Sequence, residues 1–283
     1  MPKLAVDKFE ADRNERALKP ADKGTPPGSD SFKTIPAGLF HMGGSGAADS
    51  PLQSVMLEKF EICDAEVTFK EWKETREWAL SSGYEFGTRG IDGPDDAPVV
   101  QVNWYDVIKW CNALSERRGL TPCYYTDAKR NSGSVYRKGQ KDLSPAMVEW
   151  RGNGFRLPTE AEWEKAARGG KVSRRFPNSD VLVPEDANYG TKTSKAVRSF
   201  LPNGYGLFDM AGNVWEWCWD WSGAAEEALP QVENPTGPEN GTRRVVRGGG
   251  WDDGVGSCCV SFRNSAWPDY TSDARGFRIA RSY

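Results

Sequence analysis

Polar and apolar positions alternate twice in the first third of the chain. Residues Phe32 to Gly43 (FKTIPAGLFHMG) alternate toward a turn and predict a strand, and Ser54 to Cys63 (SVMLEKFEIC) alternate again as its pairing partner. The period then changes. Phe69, Trp72, Arg76 and Ala79 share a helical stripe, with Thr68 as N-cap and Gly83 as the stop. Pro98 to Val102 predicts a short strand. Trp104 to Arg118 predicts a second helix, with Val107, Ile108, Cys111 and Leu114 on one face and Gly119 at its end. A third helix starts at Thr159, which Glu162 completes as a capping box, and runs to about Gly169-Gly170. Beyond it, short strands are predicted at Asn213–Trp219, Arg243–Arg247, Ser261–Arg263 and Phe277–Ala280, separated by long loops. Few helices among many short strands predict an α+β fold. Without an internal repeat or an interdomain linker, residues 32–283 read as one domain. Residues 1–31, charged and then rich in Pro and Gly, read as a flexible lead-in.

Composition adjusts this picture. Only 38% of the residues are hydrophobic, yet 12 are Trp and 30 are Gly, so aromatics set among irregular segments must supply much of the core. Trp215, Trp217, Trp219 and Trp221 recur with period two and read as one face of a core strand rather than as a sugar-stacking platform. A net charge of −3 argues against a nucleic-acid partner. No apolar run is long enough to span a membrane. The single histidine, His41, reads as structural and excludes a multi-histidine metal site. The six cysteines lack metal-site spacing and read as buried small hydrophobes rather than a disulfide framework. The first 30 residues hold no apolar signal core, as expected if an export signal has been removed; cytoplasmic residence is the alternative.

Four ordered segments carry a family resemblance. They are Ile35 to Gly43 (IPAGLFHMG), Gly154 to Glu164 (GFRLPTEAEWE), Asn203 to Trp217 (NGYGLFDMAGNVWEW), and the frame Arg247-Gly248-Gly249-Gly250-Trp251 closing at Gly276-Phe277-Arg278. Together they resemble the formylglycine-generating enzyme, or sulfatase-modifying factor, family, whose fold is a large variant of the C-type lectin fold. The resemblance covers roughly residues 32 to 283. It implies an oxidoreductase that captures copper(I) with two cysteines five positions apart, a pairing suited to soft thiolates. The first of these would fall near Asp253, and the only cysteines nearby are the adjacent Cys258 and Cys259. In an extended strand adjacent side chains point to opposite faces. The iron-dependent branch of the fold needs histidines that this chain lacks. The expectation is therefore a non-enzyme with no catalytic cofactor, the alternative being a formylglycine-generating or related sulfatase-modifying oxidoreductase.

What fills the C-terminal frame resembles the variable proteins of diversity-generating retroelements, in particular the treponemal type. These use the same fold for ligand display and rewrite the carboxy-terminal part of the gene at adenines. Asp252 to Ser257, Asn264 to Ala266 and Tyr270 to Ala274 hold only residues that such rewriting yields. The expected binding surface is Asp252, Asp253, Ser257, Val260, Ser261, Phe262, Asn264, Trp267, Asp269, Tyr270, Ser272 and Asp273, within a variable region 251–275. Aromatic anchors beside short polar groups suit recognition of a protein or other surface ligand. An ordinary polar loop with Phe262 and Trp267 in the core is the plainer reading. Arg247, Arg263 and Arg278 are expected to hold loops through carbonyl hydrogen bonds. The resemblance further implies a structural Ca²⁺ at Asp209, Gly212, Val214 and Glu216, two carboxylates and two main-chain carbonyls of the hard-oxygen kind. The same residues also suit a hydrogen-bonded turn. The expected protein is a monomer, secreted or held at the cell surface.

Overall fold

Pro36 and Ala37 split the first predicted strand, because a proline offers no N–H to a ladder. The computed structural model describes residues 31–44, 52–223 and 232–282; all of the expected lead-in except Ser31 lies outside them. Strands β1 (Phe32–Ile35) and β2 (Gly38–Met42) are followed by β3 (Gln53–Leu57) and β4 (Phe60–Cys63). The predicted pairing holds in two pieces that belong to different sheets: Ile35 faces Phe60 across β1 and β4, and Gly38 faces Leu57 across β2 and β3. His41 lies exposed on β2 with its Nδ1 3.2 Å from the Ser54 hydroxyl.

Three helices follow the sequence pattern closely. Helix α1 (Phe69–Ser81) has Thr68 as N-cap in a capping box with Glu71. Helix α2 (Trp104–Arg117) is capped by Asn103 and is buried along most of its length, as its stripe of large side chains requires. Helix α3 (Glu160–Ala167) shows the Thr159–Glu162 box in full, and Glu162 also forms a two-pronged pair with Arg156 at 2.6 and 2.7 Å. Three strand predictions need correction. That at Phe277–Ala280 shares only Ala280 with the observed strand Ala280–Ser282. Pro98–Val102 makes only an isolated bridge from Pro98 to Thr68, and the predicted strand at Ser261–Arg263 forms three residues later.

The remaining strands are β5 (Trp215–Trp221), β6 (Val232–Glu233), β7 (Arg244–Arg247), β8 (Asn264–Ala266), β9 (Arg275–Gly276) and β10 (Ala280–Ser282). They complete three sheets among the described residues, in the orders β1-β4-β10, β2-β3-β6 and β8-β7-β5-β9. Strand β5 is the spine of the last sheet. All seven of its residues are buried, so the tryptophans occupy one core face while Glu216, Cys218 and Asp220 are buried on the other. The tryptophans stack into the main aromatic core: Trp219 lies 5.7 Å from Tyr124 and 5.5 Å from Trp104. Arg244 enters this cluster, its guanidinium carbon 3.7 Å from the Trp104 ring centre and 3.3 Å from that of Trp221. Burial lowers its pKa to about 9. Among the described residues no helix is long and apolar enough to cross a membrane.

Burying polar groups on β5 leaves a titratable signature. Burial and the neighbouring Glu160 push the Asp220 carboxyl up to about 7, against an ordinary value of 3.8. Its Oδ2 accepts from the Glu160 backbone N–H at 2.6 Å. The folded state therefore holds this proton more tightly than the unfolded chain. That contribution is complete below about pH 4 and disappears as pH rises through 7. Asp220→Asn keeps an acceptor and removes the titration. Urea denaturation should show the variant gaining on the wild type by up to about 1.4 kcal/mol per pH unit between pH 5 and 7; parallel stability profiles would exclude this account.

Candidate ligand-binding surface

The C-terminal segment hangs from two buried guanidinium–carboxylate pairs. Arg247, at the end of β7, pairs with Glu164 of α3 and donates to the carbonyls of Val260 (2.8 Å), Ser261 (3.1 Å) and Phe262 (2.7 Å). Glu164 also accepts from the Gly43 N–H at 2.7 Å and from Arg168 at 2.6 Å. Arg278 binds both oxygens of Glu216 at 2.6 Å and donates to the carbonyls of Cys63 and Phe208. Arg263 reaches the Gly223 carbonyl and Glu160. The carbonyl contacts expected of these arginines are present, and each also has a carboxylate partner.

Between these pairs the chain is held mainly through its backbone. Gly249 takes a φ of +83°, and a Cβ there would lie 3.0 Å from the Ser257 carbonyl oxygen. At the far end a Cβ on Gly276 would lie 2.4 Å from the Val99 carbonyl oxygen. Trp251 N–H donates to Asn213, Thr191 N–H to Trp251, Gly190 N–H to Asp253, Trp104 N–H to Pro268 and Gln101 N–H to Ser272, all at 2.7–2.9 Å. A 3₁₀ turn at Val255–Cys258 and β8 supply the only regular structure between β7 and β9.

Side chains sort clearly on this support. Asp252, Asn264, Trp267, Asp269, Tyr270 and Asp273 are exposed, with Trp267 at 50% and Tyr270 at 53%. Trp267 is thus outside the core, its ring 5.1 Å from the Arg243 guanidinium. Ser257, Phe262 and Ser272 are half-buried, and Phe262 packs 6.1 Å from Trp215. Val260, 1% exposed, and Ser261, also buried, do not belong to the surface set: Val260 is part of the same core cluster as Trp163 and Ala161, and Ser261 is buried with its carbonyl on Arg247. Asp253 is half-buried and committed to the loop, accepting from the Trp215 indole at 2.7 Å and the Gly250 N–H at 2.9 Å. Arg275, beneath Tyr270, is a residue that sequence pattern did not single out, since only the fold brings it under the ring.

All six cysteines are free and buried. Cys258 closes the 3₁₀ turn rather than lying in a strand, and it shares one small cluster with Cys259, Phe176, Ala187 and Ala211. Burial pushes the Cys258 thiol up to about 12, away from the thiolate that nucleophilic or copper chemistry requires.

The Asp209–Glu216 loop divides the expected cation ligands. Both oxygens of Glu216 are spent, on Arg278 and on the Trp163 indole at 2.7 Å. Asp209 takes a φ of +56° and accepts the Arg198 N–H, leaving its buried Oδ1 without a partner. The Oε2 of Glu66, a residue outside the sequence expectation, is likewise buried and unpaired. Burial raises the pKa of both carboxyls, Glu66 strongly. A pocket of about 20 Å³, room for about one water-sized occupant, reaches Asp209. The Asp209 oxygen beside this space, with the Glu66 carboxyl close to it, suits a hard cation, whereas Glu216 offers no free oxygen. Among the described residues no set of three or more His, Cys, Asp or Glu side chains could hold a metal, so such an ion would lean on main-chain carbonyls.

Residues 19–283 match the family described as the sulfatase-modifying factor enzyme 1-like domain. The chain is 30% identical over 275 residues to the chaperone protein LppX of Paenibacillus barcinonensis, covering 90% of each. It is 40% identical over 154 residues to the formylglycine-generating enzyme of Streptomyces coelicolor, a match that spans about half of that relative (48% of each chain). The solved structure of Treponema denticola variable protein 1 superposes with a TM-score of 0.74 at 31% identity, over 94% of this chain and all of that one. The shared architecture is the C-type lectin-like fold.

A backbone-held segment should tolerate change at its exposed side chains and resist it underneath. Trp267→Ala and Tyr270→Ala are expected to alter unfolding free energy by less than about 1 kcal/mol. Val260→Ala, in the adjoining core, should cost about 2 kcal/mol. Chemical denaturation of the three variants tests the contrast, and a large loss at Trp267 would return it to the core.

Proposed function

The chain belongs to the sulfatase-modifying factor enzyme 1-like family, and we propose that it uses this scaffold to bind a protein ligand through residues 251–275 rather than to oxidise a cysteine. The observation that carries the reading is the division of labour in that segment. Its path is set by buried arginines, glycines and backbone hydrogen bonds, while Asp252, Asn264, Trp267, Asp269, Tyr270 and Asp273 project outward. Little ordering entropy is lost when a surface of this kind binds. The likeness to a protein named as variable supports diversification of these positions by a retroelement. Display at the cell surface or secretion would give such a site access to its ligands. The buried, poorly acidic Cys258 and the absence of a five-residue cysteine spacing argue against copper-dependent oxidation.

Two measurements test this. Incubation with copper(I), oxygen and a sulfatase-type cysteine peptide should leave the peptide unchanged; turnover lost on Cys258→Ser or Cys259→Ser would establish the enzymatic alternative. Sequencing the gene in sister isolates should find differences concentrated within codons 251–275, with Arg247, Gly249, Arg275, Gly276 and Arg278 unchanged. Differences spread evenly along the gene would overturn the variable-surface reading.

We further propose that a structural Ca²⁺ is held by Asp209, Glu66 and the main-chain carbonyls of Gly212 and Val214. The ion would neutralise two buried carboxylates and tie the loop before β5 to the segment after β4. Added Ca²⁺ should then raise the melting temperature and EGTA reverse it, a ligand at a hundred times its Kd being worth about 2.7 kcal/mol. Asp209→Asn should abolish most of the response. A melting temperature indifferent to millimolar Ca²⁺ would discard the site.

A further inference from the structure

Arg275 stands apart from the arginines around it. Arg247 and Arg278 each meet a buried carboxylate, and Arg244 donates to the Trp219 and Leu143 carbonyls. Arg275 is buried too, at 8% exposure, but where Arg244 and Arg247 leave only Nε unpaired, its Nε and Nη1 both donate to nothing. Its guanidinium carbon lies 5.0 Å from the ring centre of core Trp217 and 5.0 Å from that of half-exposed Tyr270. Burial brings its pKa down to about 10, opposed by Tyr270, Asp253 and Asp252. Of those two acids, Asp253 is already committed to Trp215 and Gly250. A desolvated cation with unused donors weakens a fold unless some other group completes it. Tyr270, at the tip of the exposed segment, is the aromatic side chain stacked over this guanidinium.

We propose that Arg275 is the fixed anchor of the binding surface: Tyr270 turns outward and the guanidinium receives a carboxylate of the protein ligand. The inference rests on the ligand-binding reading of residues 251–275. A guanidinium fork matches a planar carboxylate in two parallel hydrogen bonds. Asp253 and Asp252 already press on the guanidinium with negative charge, which disfavours a phosphate dianion more than a single carboxylate. The flanking Tyr270 and Trp251 would add apolar contact, so that the neighbouring positions tune affinity while Arg275 keeps the docking mode.

The experiment is a titration of the full chain, ¹⁵N-labelled at arginine, with sodium acetate, followed by NMR at the Arg275 Nε–H. Acetate should shift this resonance saturably. Phosphate and N-methylacetamide should bind at least several-fold more weakly, and R275K should lose about ten-fold in acetate affinity. R275M should lose the response while melting no lower than the wild type, since an uncompensated cation has been removed. A resonance that acetate leaves in place, or tighter binding of phosphate or the amide, would overturn the proposal. So would an R275M variant that melts well below the wild type, by showing that the fold itself uses the guanidinium. These outcomes separate from those of the broader reading. Sister sequences that vary at 251–275 with no acetate response would leave the surface standing and reduce Arg275 to a strut. Acetate binding with copper-dependent turnover would instead place the anchor in a substrate groove.

Discussion

The carboxylate of Glu164 is the point on which the C-terminal half depends. It accepts from Arg247, Arg168 and the Gly43 N–H, and so joins the last turn of α3, the end of β7 and the end of β2. Arg247 extends the connection to three successive carbonyls of the loop. Buried ion pairs of this kind repay their desolvation only when every donor and acceptor is placed, and their attested role is to fix one geometry rather than to add stability. Glu216 and Arg278 repeat the device on the other side of β5. Two such clamps set the path of an irregular segment that has neither a helix nor a long strand of its own.

The regular elements were legible because short-range chemistry dictates them. Thr68 with Glu71 and Thr159 with Glu162 form the capping boxes that the sequence spells out, and Gly119 follows α2 with a left-handed φ of +70°. The pairing of the first two alternating runs was legible too, but not the split at Pro36, which sends the two halves to different sheets. Pro98–Val102 is rich in valine like a strand, yet its neighbours present a helix cap and a loop instead of an edge, and it forms one bridge.

The candidate surface was legible in outline, because its frame residues are distinctive and its contents follow no period. Which side chains face outward was not. Val260 and Ser261 turn inward because Arg247 draws the three carbonyls at 260–262 toward itself, and no local rule reports that pull. Glu66 and Arg275 were invisible for a related reason. Each lies far in sequence from Asp209 or Trp217, and only the closing of the sheets brings them together.

The pairing of β10 with β4 places the end of the described chain, Ala280 to Ser282, against Ile62 to Phe60 near its start. The exposed segment lies upstream of that closing strand and of β9, which pairs with β5. A chain broken by a premature stop or a shifted reading frame anywhere in 251–275 therefore loses both strands and the Arg278 clamp. It would leave the Ile62 edge and the buried Glu216 bare, and would be open to proteolysis. The topology thus acts as quality control on the message: only transcripts read in frame through 251–275 yield a chain able to close the sheet that its first strands begin.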